Sequence, residues 1–367
     1  MRILVVGGTG FLGGAMASAA RAGGHVVTTL SRRAGGPDHI SADRSEPLLD
    51  LRHHAFDVVL DSCAYTPSMV THVLDAVGPD LHHFGLISSV SAYSDMSDPD
   101  TDEDDPSRPA TDEERAITLP ADKRTDAASY GAAYGPLKRS CEDTLVDRIG
   151  KRAHLVRVGL LVGPGDYTDR LTWWVRRMDQ GGTVPVPQPM DAPIQVIDTR
   201  DAAAYCVSAA QRGDSGITNL TGPMISRADL LTRIAEITRN KTALEWLPHD
   251  AFAQHDTAYW TDLPLMASRD WGTLAGMLAI NTDRAQGRGL ALRPLDETIA
   301  DVLAWDRTRR LPAAWQPPKK LRCSPSSCFP APQAARRQRS ADRRGAAVRR
   351  RHGSRHPASR LRQGHCG

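Results

Sequence analysis

The apolar positions of this chain fall in short runs that alternate with longer amphipathic segments. Short apolar runs are typical of strands buried on both faces of a parallel sheet. The segments between them, such as residues 15–22 and 67–77, carry the spacing and composition of helices. This alternation predicts a parallel sheet with helices on both faces. Its strands are expected at residues 3–6, 25–30, 56–60, 84–88 and 154–158.

The regular alternation weakens after residue 166. Several Pro-containing turns follow, interspersed with Trp173, Trp174, Trp246, Trp260 and Trp271. This pattern predicts a smaller lobe over the carboxyl edge of the sheet, where ligands bind in open α/β folds. A last helix is expected at residues 295–305, with Pro294 at its start. An acidic insert, residues 95–126, predicts an exposed loop. We therefore divide the chain into residues 1–165, 166–316 and 317–367.

Three glycines follow the first apolar run at three-residue spacing: Gly7, Gly10 and Gly13. A strand, a glycine turn and a helix N-terminus in this order predict a site for a dinucleotide pyrophosphate. Gly7 permits the tight turn, Gly10 lets backbone approach phosphate, and Gly13 lets the helix pack closely on the strand. The expected fold is α/β: a Rossmann-type doubly wound parallel sheet, a smaller C-terminal substrate lobe and a disordered basic tail.

The net charge of +3 conceals two oppositely charged regions. Residues 317–367 hold 14 Lys and Arg against one acid, Asp342, whereas residues 1–316 hold 32 against 42. The basic tail has too few large apolar residues to offset its ordering entropy, which predicts disorder. It could bind nucleic acid only through salt-sensitive phosphate contacts. We favour a solvated extension and expect no nucleic-acid partner for the folded part.

The cysteine, histidine and hydropathy patterns indicate the cellular compartment and whether a metal site or a membrane segment is expected. The six cysteines lack metal-type spacing, and a chain of 367 residues does not need disulfides, so a reducing cytoplasm fits best. The adjacent pairs His53-His54 and His82-His83 point apart on any regular element, so we expect surface histidines and no metal site. No apolar run is long enough to span a membrane, and the chain starts on a core strand, so no signal peptide or membrane partner is expected.

Tyr134 and Lys138 stand four residues apart, on one face of a predicted helix. A nearby ammonium stabilises a phenolate and draws the tyrosine pKa toward neutrality, which suits a general acid/base. Ser89, at the mouth of a predicted strand, could hydrogen-bond a substrate oxygen. Pro136 fits this helix only in its first turn. The Tyr-x-x-x-Lys spacing also occurs by chance as a surface pair, so its context decides.

Together these motifs resemble the extended short-chain dehydrogenase/reductase family, the NAD(P)-dependent epimerase/dehydratase group. The resemblance covers about residues 1–310. Each motif is modest alone, but their order and rough spacing are specific. They are the glycine turn, residues 88–93, Tyr134 with Lys138, Arg157 with residues 163–164, and residues 197–201.

The resemblance implies catalytic roles for Ser89, Tyr134 and Lys138. Ser89 would polarise the substrate oxygen, Tyr134 would be the general acid/base, and Lys138 would bind the nicotinamide ribose. Asp43, with Arg44 beside it, would contact adenine, unless Asp43 only caps a turn; Ser62 and Cys63 could equally be plain packing. The expected cofactor-binding residues are Gly7, Thr9, Gly10, Phe11, Leu12, Gly13, Ser31, Arg32, Arg33, Asp43, Arg44, Ser62, Cys63, Ala64, Tyr65, Tyr134 and Lys138.

The end of the second predicted strand bears on the choice of cofactor. Ser31, Arg32 and Arg33 stand where NAD-preferring sites place a carboxylate for the ribose hydroxyls. A guanidinium suits a 2′-phosphate by charge and bidentate geometry. We therefore expect NADP to be favoured, with NAD acceptable if the arginines are solvated or stack on adenine.

Departures from the family pattern reduce the range of expected substrates. Val90-Ser91 replace the Asp-Glu pair of sugar-nucleotide 4,6-dehydratases, and Leu160 replaces an asparagine that helps to hold nucleotide-linked substrates. We predict a reductase or epimerase acting on a small hydroxyl or carbonyl metabolite, with a homodimer left open. A non-catalytic cofactor-binding regulator or an RNA-binding relative of the same fold is the alternative. Gln195, Arg170 and Trp174 are candidate substrate contacts, and the insert is more simply a surface loop than a lid.

Overall fold

The apolar runs of the N-terminal half form the central sheet of the computed structural model, which describes residues 1–33, 35–78, 81–124, 127–268 and 270–309. The strands in these ranges are β1 (Arg2–Val6), β2 (Val26–Ser31), β3 (His39–Ser41), β4 (Val58–Asp61), β5 (His83–Ser89), β6 (Ala153–Val158), β7 (Leu160–Val162), β8 (Gly182–Pro187), β9 (Pro193–Ile194), β10 (Val196–Asp198), β11 (Gly216–Leu220), β12 (Ile225–Ser226) and β13 (Thr242–Leu247). The α-helices are α1 (Phe11–Ala22), α2 (Pro67–Val77), α3 (Asp112–Arg115), α4 (Tyr134–Ile149), α5 (Arg170–Asp179), α6 (Thr199–Arg212), α7 (Arg227–Thr238), α8 (His249–Ala253), α9 (Asp283–Gly287) and α10 (Leu295–Thr308).

Seven parallel strands form one sheet in the order β11-β6-β5-β4-β1-β2-β3. From β1 the chain builds outward through β2 and β3, then returns to the other side of β1 for β4. Open α/β sheets bind ligands at such a reversal, beyond the carboxyl ends of the strands. The turn after β1 and the ends of β4 and β5 therefore meet where a ligand is expected.

Helices cover both faces of this sheet. Helices α1 and α6 pack on one face, where Met16 joins Val5 in a buried cluster. Helices α2 and α4 pack on the other face, where Leu145 joins Leu4. These four side chains have no exposed surface. Successive residues of β1 point to opposite faces of the sheet, and both faces are buried. Its apolar run is therefore continuous rather than alternating.

A second core lies beyond the sheet. Helices α5, α7 and α10 pack together with the parallel pair β8 and β13. Trp174 is fully buried in this lobe, and its indole N–H donates to the Pro264 carbonyl oxygen at 2.6 Å. Helix α6 and strand β11, which lie between these elements in the chain, return to the first core. The predicted boundary at residue 165 stays a prediction.

The predicted fold class is confirmed. Each predicted strand differs from the observed one by no more than two residues at either end, and α2 matches its prediction. The last helix starts as predicted but continues to Thr308. No helix among the described residues is both long and apolar enough to cross a membrane. The predicted disordered tail, residues 317–367, lies outside the described residues.

The first half of the acidic insert is mostly an exposed loop, as predicted, but a few of its residues are buried and anchor it to the fold. Glu103 is buried and accepts a hydrogen bond from the Asn219 N–H of β11 at 2.8 Å. Thr101 pairs with Ile280 in a parallel bridge, and Met96 joins the same small apolar cluster as Ile280. Polar side chains and backbone groups anchor this segment, so hydrophobic patterning could not reveal it. The end of the insert, beyond residue 124, lies outside the described residues.

The histidine prediction is wrong for one of its four residues. His53, His54 and His82 are exposed, but His83 opens the central strand β5 and is 2% exposed. Its ring lies 5.8 Å from that of His154, which is also buried. Burial lowers the pKa of His83 to about 4, so the imidazole is neutral at pH 7. A strand in the middle of a parallel sheet leaves neither face to solvent.

Candidate active site

A cavity of about 810 Å³ opens at the carboxyl edge of the sheet, between the sheet and the second core. Its volume is in the range of small-molecule and cofactor sites. Residues from the glycine turn, from the ends of β2, β4 and β5, from α4 and from the start of α5 all line it. The cavity therefore joins the segments that the sequence singled out separately. Of the seventeen predicted cofactor-binding residues, all but Ala64 line it.

The glycine turn is held by close backbone contacts. Gly7 has φ 81°, a left-handed conformation that favours glycine, and its N–H donates to the Leu30 carbonyl oxygen at 2.8 Å. The Gly10 N–H donates back to the Gly7 carbonyl oxygen at 2.8 Å. A Cβ on Gly13 would overlap that same carbonyl oxygen. Packing of α1 against the turn thus requires a glycine at position 13.

The N-terminus of α1 faces the cavity. Gly10 is its N-cap residue, and no side chain hydrogen-bonds to the first helical N–H groups. Phe11 and Leu12, the first helical residues, line the cavity with Gly10. Free N–H groups and the positive end of the helix dipole favour an anion at this point.

Arginines gather at one end of the cavity, which we call the β2 end. Arg32 and Arg33 follow β2, and Arg124 reaches in from the acidic insert. Arg124 pairs with Asp43 at 3.4 Å, and the Arg32 guanidinium donates to the carbonyl oxygen of Ala121. The insert therefore reaches the β2 end, where it contacts two predicted cofactor-binding residues, Asp43 and Arg32. Arg124 was not predicted, because nothing in its local sequence distinguishes it from other charges of the insert.

Arg44 lines the cavity but is engaged elsewhere. Its guanidinium forms a two-pronged ion pair with Asp61, which has no exposed surface, and also donates to the Met69 carbonyl oxygen at 2.8 Å. A buried arginine so occupied holds the end of β4 in place. The predicted contact of Arg44 with the cofactor stays a prediction, and its charge is already matched by Asp61.

The residues after β4 divide into two kinds. Ser62, Cys63 and Tyr65 line the cavity. Ala64 is fully buried among apolar side chains and lies outside the lining, so its predicted role in cofactor binding stays a prediction. Only its backbone reaches the site, because its carbonyl oxygen accepts a hydrogen bond from Lys138 at 2.7 Å.

Tyr134 and Ser89 lie side by side in the cavity. Tyr134 is the first residue of α4, so Pro136 falls in the first turn, as its missing N–H requires. Burial raises the pKa of the Tyr134 hydroxyl, and the polar contact with Ser89 and the charge of Arg170 oppose this rise. The Ser89 hydroxyl also accepts from the Ser91 N–H at 3.1 Å. The phenol is therefore protonated at neutral pH.

Lys138 follows Tyr134 by one helical turn and is 3% exposed. Its ammonium donates to the carbonyl oxygens of Ala64 and Ile87, at 2.7 and 2.5 Å. Burial lowers the pKa of this ammonium. An ammonium has three N–H donors, so one remains beyond these two bonds, on a residue that lines the cavity.

An ion-pair network lies beneath the site. Glu142 accepts from Ser88 at 2.5 Å and from Arg157 at 2.7 Å, and both charged residues have no exposed surface. The Arg157 guanidinium also stacks over the Tyr93 ring at 4.4 Å. This network joins α4 to β5 and β6, so it fixes the positions of Ser89 and Tyr134 relative to each other. Arg157 is a supporting residue rather than part of the cavity wall.

The other end of the cavity, which we call the α5 end, is mostly apolar. Trp260, Met277 and Leu278 line it together with Arg170 and Gln195. The Gln195 amide is committed to backbone, because it binds the N–H and carbonyl groups of Ile280 at 2.7 and 2.9 Å. Trp174 lies in the second core and does not line the cavity. Only the tertiary fold brings Trp260, Met277 and Leu278 to this site, so no local pattern in the sequence marks them.

Solved structures of similar fold span nearly the whole described chain. A UDP-N-acetylglucosamine 4-epimerase from Bacillus cereus is 18% identical, with a TM-score of 0.62 over 84% of this chain and 99% of that one. A UDP-glucuronic acid 4-epimerase from Bacillus cereus, solved with NAD, is 16% identical, with a TM-score of 0.60 over 86% and 99%. A human epimerase family protein solved with NADPH is 19% identical, with a TM-score of 0.56 over 83% and 99%.

The comparison settles the fold. The chain has the fold of extended short-chain dehydrogenase/reductases, as its motifs predicted. No protein-family model matches the sequence, and no curated protein matches it. The activities and ligands of these structures belong to those proteins, since identities below 20% carry the fold alone.

Two adjacent glycines of α1 allow a matched test of the turn. Replacing Gly13 with alanine forces a Cβ onto the Gly7 carbonyl oxygen and within 2.8 Å of the Ser62 hydroxyl oxygen. We expect the free energy of unfolding to fall by about 1–3 kcal/mol, as in overpacked cores. Gly14→Ala has no atom closer than 3.7 Å and gains helix propensity, so it should stabilise by about 0.5–1 kcal/mol.

Urea denaturation of both variants and the wild type measures these changes. Equal stabilities for Gly13→Ala and Gly14→Ala would show that the turn is not held by the close approach of α1.

Proposed function

We propose that this protein is an NAD(P)-dependent oxidoreductase or epimerase that acts on a small hydroxyl or carbonyl compound. One observation carries the proposal: the glycine turn, Lys138 and the Ser89–Tyr134 pair all line a single cavity at the carboxyl edge of the sheet. A surface Tyr-x-x-x-Lys pair, the simplest alternative explanation of that motif, would not lie buried beside a helix N-terminus.

The residues present fit a nicotinamide dinucleotide. Uncapped N–H groups at the start of α1 would hold the pyrophosphate, and Gly10 carries no side chain toward it. Lys138 would use its remaining N–H for a ribose hydroxyl near Tyr134. When bound, the cofactor supplies the hydride acceptor or donor that this set of residues lacks.

Proton transfer would fall to Tyr134. In reduction of a carbonyl, the protonated Tyr134 hydroxyl donates its proton to the substrate oxygen as a hydride reaches the carbon. The Ser89 hydroxyl would donate a hydrogen bond to the same oxygen and stabilise its developing charge. In oxidation, Tyr134 takes the proton of the substrate hydroxyl. An epimerase would use both directions in one cycle.

The cavity walls favour a small substrate. Ser91 and Leu160 line the cavity at the positions where related enzymes carry acids or an asparagine. Neither side chain supplies a carboxylate for elimination of water, and the leucine cannot hydrogen-bond to a nucleotide-linked group. We therefore propose a reductase or epimerase in preference to a sugar-nucleotide dehydratase.

The β2 end favours NADP over NAD. Arg33 and Arg124 lie there with one carboxylate, Asp43, which is already paired with Arg124. Excess positive charge suits the 2′-phosphate of NADP, and no acid follows β2 to accept both ribose hydroxyls. The human epimerase family protein of similar fold was solved with NADPH, which is compatible with this preference.

Tyr134→Phe should bind cofactor normally but lose turnover. Removing the hydroxyl removes the proton donor, so we expect kcat to fall by about 100- to 10,000-fold. The assay is oxidation of NADPH against a panel of small carbonyl compounds, with Tyr205→Phe in α6 as a control outside the cavity. Because burial keeps the Tyr134 pKa above its usual value of 10, wild-type reduction should stay constant from pH 6 to 9, whereas oxidation should accelerate as the pH rises.

Undiminished turnover by Tyr134→Phe would exclude this tyrosine as the proton donor. Normal cofactor binding with no turnover of any compound by the wild type would favour the non-catalytic alternative.

The cofactor preference can be tested at the β2 end. Arg33→Ala removes an exposed guanidinium that lines the cavity, and Arg124→Ala removes the one supplied by the insert. A charge-assisted hydrogen bond to phosphate is worth about 1.5–3 kcal/mol, so NADPH affinity should fall by about 10- to 100-fold in whichever variant loses it. NADH affinity should change little, since NADH lacks the 2′-phosphate. Arg21→Ala, on the exposed side of α1, is the control.

Isothermal titration of both cofactors against the three variants gives the comparison. Parallel losses of NADH and NADPH affinity would contradict a 2′-phosphate contact.

A further inference from the structure

The α5 end of the cavity holds one cation with no carboxylate at ion-pair distance within the described ranges. Arg170, the first residue of α5, lines the cavity, and no ion pair joins it to an acid of those residues. Its single polar contact there is a long hydrogen bond, 3.4 Å, to the Thr168 hydroxyl. The neighbouring acid Asp169 is already paired with Arg309 at 2.6 Å. The Arg170 guanidinium can therefore donate two parallel N–H hydrogen bonds to one ligand group.

Among the described residues, Asp166 is the one carboxylate that lines this end, and it forms no ion pair with Arg170. Asp166 is 1% exposed, and one of its oxygens accepts from the Thr168 N–H and hydroxyl at 2.8 and 2.6 Å. Burial raises the pKa of Asp166, while its hydrogen bonds with Thr168 and the charge of Arg170 oppose this rise. Thr168 therefore lies between the acid and the arginine and keeps them from pairing.

The Arg170 guanidinium also has an aromatic contact, with Trp260. The Arg170 guanidinium lies over the Trp260 ring at 5.6 Å, and Trp271 packs edge-on against the same ring at 5.9 Å. Trp260 has φ 70°, which is unusual for a bulky residue. Such backbone conformations cluster at ligand sites, where surrounding packing maintains them. An arginine stacked on an aromatic ring loses less freedom when it binds a ligand.

Arg170 is also near the reacting group. Its positive charge lowers the pKa of the Tyr134 hydroxyl, in opposition to burial. A ligand group held by Arg170 would thus lie within the same cavity as a carbonyl held by Ser89 and Tyr134. Trp260, Met277 and Leu278 contribute apolar surface to the same cavity.

We propose that Arg170 binds a carboxylate of the substrate, so that the substrate is a small oxo- or hydroxy-acid with an apolar body. The planar guanidinium matches a carboxylate in a bidentate pair. A phosphate or diphosphate would call for more positive charge than the single arginine at this end supplies. The inference rests on the proposed function for the identity of the reacting group, but the carboxylate contact itself does not depend on the cofactor.

Matched acids and amides test the proposal directly. The probes are 5-oxohexanoate and 3-benzoylpropanoate, each compared with its own carboxamide by isothermal titration, with and without NADP. We expect at least one acid to bind about 10- to 100-fold more tightly than its amide in the wild type, as a charge-assisted pair implies. Arg170→Gln should abolish this difference, whereas Arg170→Lys should keep part of it. Arg233→Gln, which removes a surface arginine of α7, should leave it unchanged.

Thermal melting of each variant verifies that Arg170→Gln is folded, and Arg170→Lys provides the test if it is not. The proposal is overturned if no acid binds more tightly than its amide, or if the preference survives in Arg170→Gln. The proposed function can fail separately: absence of cofactor binding would remove it, while an Arg170-dependent preference for acids would still stand. Turnover of neutral carbonyl compounds with no preference for acids would support the proposed function and exclude the carboxylate contact.

Discussion

The buried ammonium of Lys138 is the interaction on which the site depends. It donates to the backbone carbonyls of Ala64, after β4, and Ile87, in β5, so one side chain joins α4 to the ends of two adjacent strands. Removing such a charge from water is costly unless its N–H groups are satisfied. The helix that carries Tyr134 is therefore held in one position relative to the sheet edge.

Two buried ion pairs extend this constraint on either side. Arg44 and Asp61 secure the end of β4, and Arg157 and Glu142 secure α4 against β5 and β6. Breaking a buried pair by removing one partner leaves an uncompensated charge, at a cost of about 3–5 kcal/mol. Arg157 and Glu142 lie behind the cavity wall, whereas Arg44 lines the cavity with its charge matched by Asp61. Both pairs hold the positions of Ser89, Tyr134 and Lys138 while leaving the cavity itself for a ligand.

The sequence was sufficient for the fold and for the residues of the glycine turn and α4, because their chemistry depends on local spacing. Gly13 is an example, since only close packing of a helix on a turn demands a glycine there. Arg124 and Trp260 could not be found in this way, because tertiary folding alone brings residues so distant in the chain to one cavity. Arg44 shows a different limit. Its position near the cavity was predictable from the sequence, but its ion pair with Asp61 was not. Burial of His83 and Glu103 likewise follows from their place in the fold and from no feature of their local sequence.

Titration of the protein with NADPH and NADH tests the central claim, that one cavity combines a dinucleotide site with Tyr134. Trp260 lines that cavity, so excitation of tryptophan should sensitise nicotinamide emission when the reduced cofactor binds. We expect a saturable signal at one cofactor per chain, with NADPH the tighter ligand. Absence of saturable binding by either cofactor would exclude a dinucleotide site at the glycine turn.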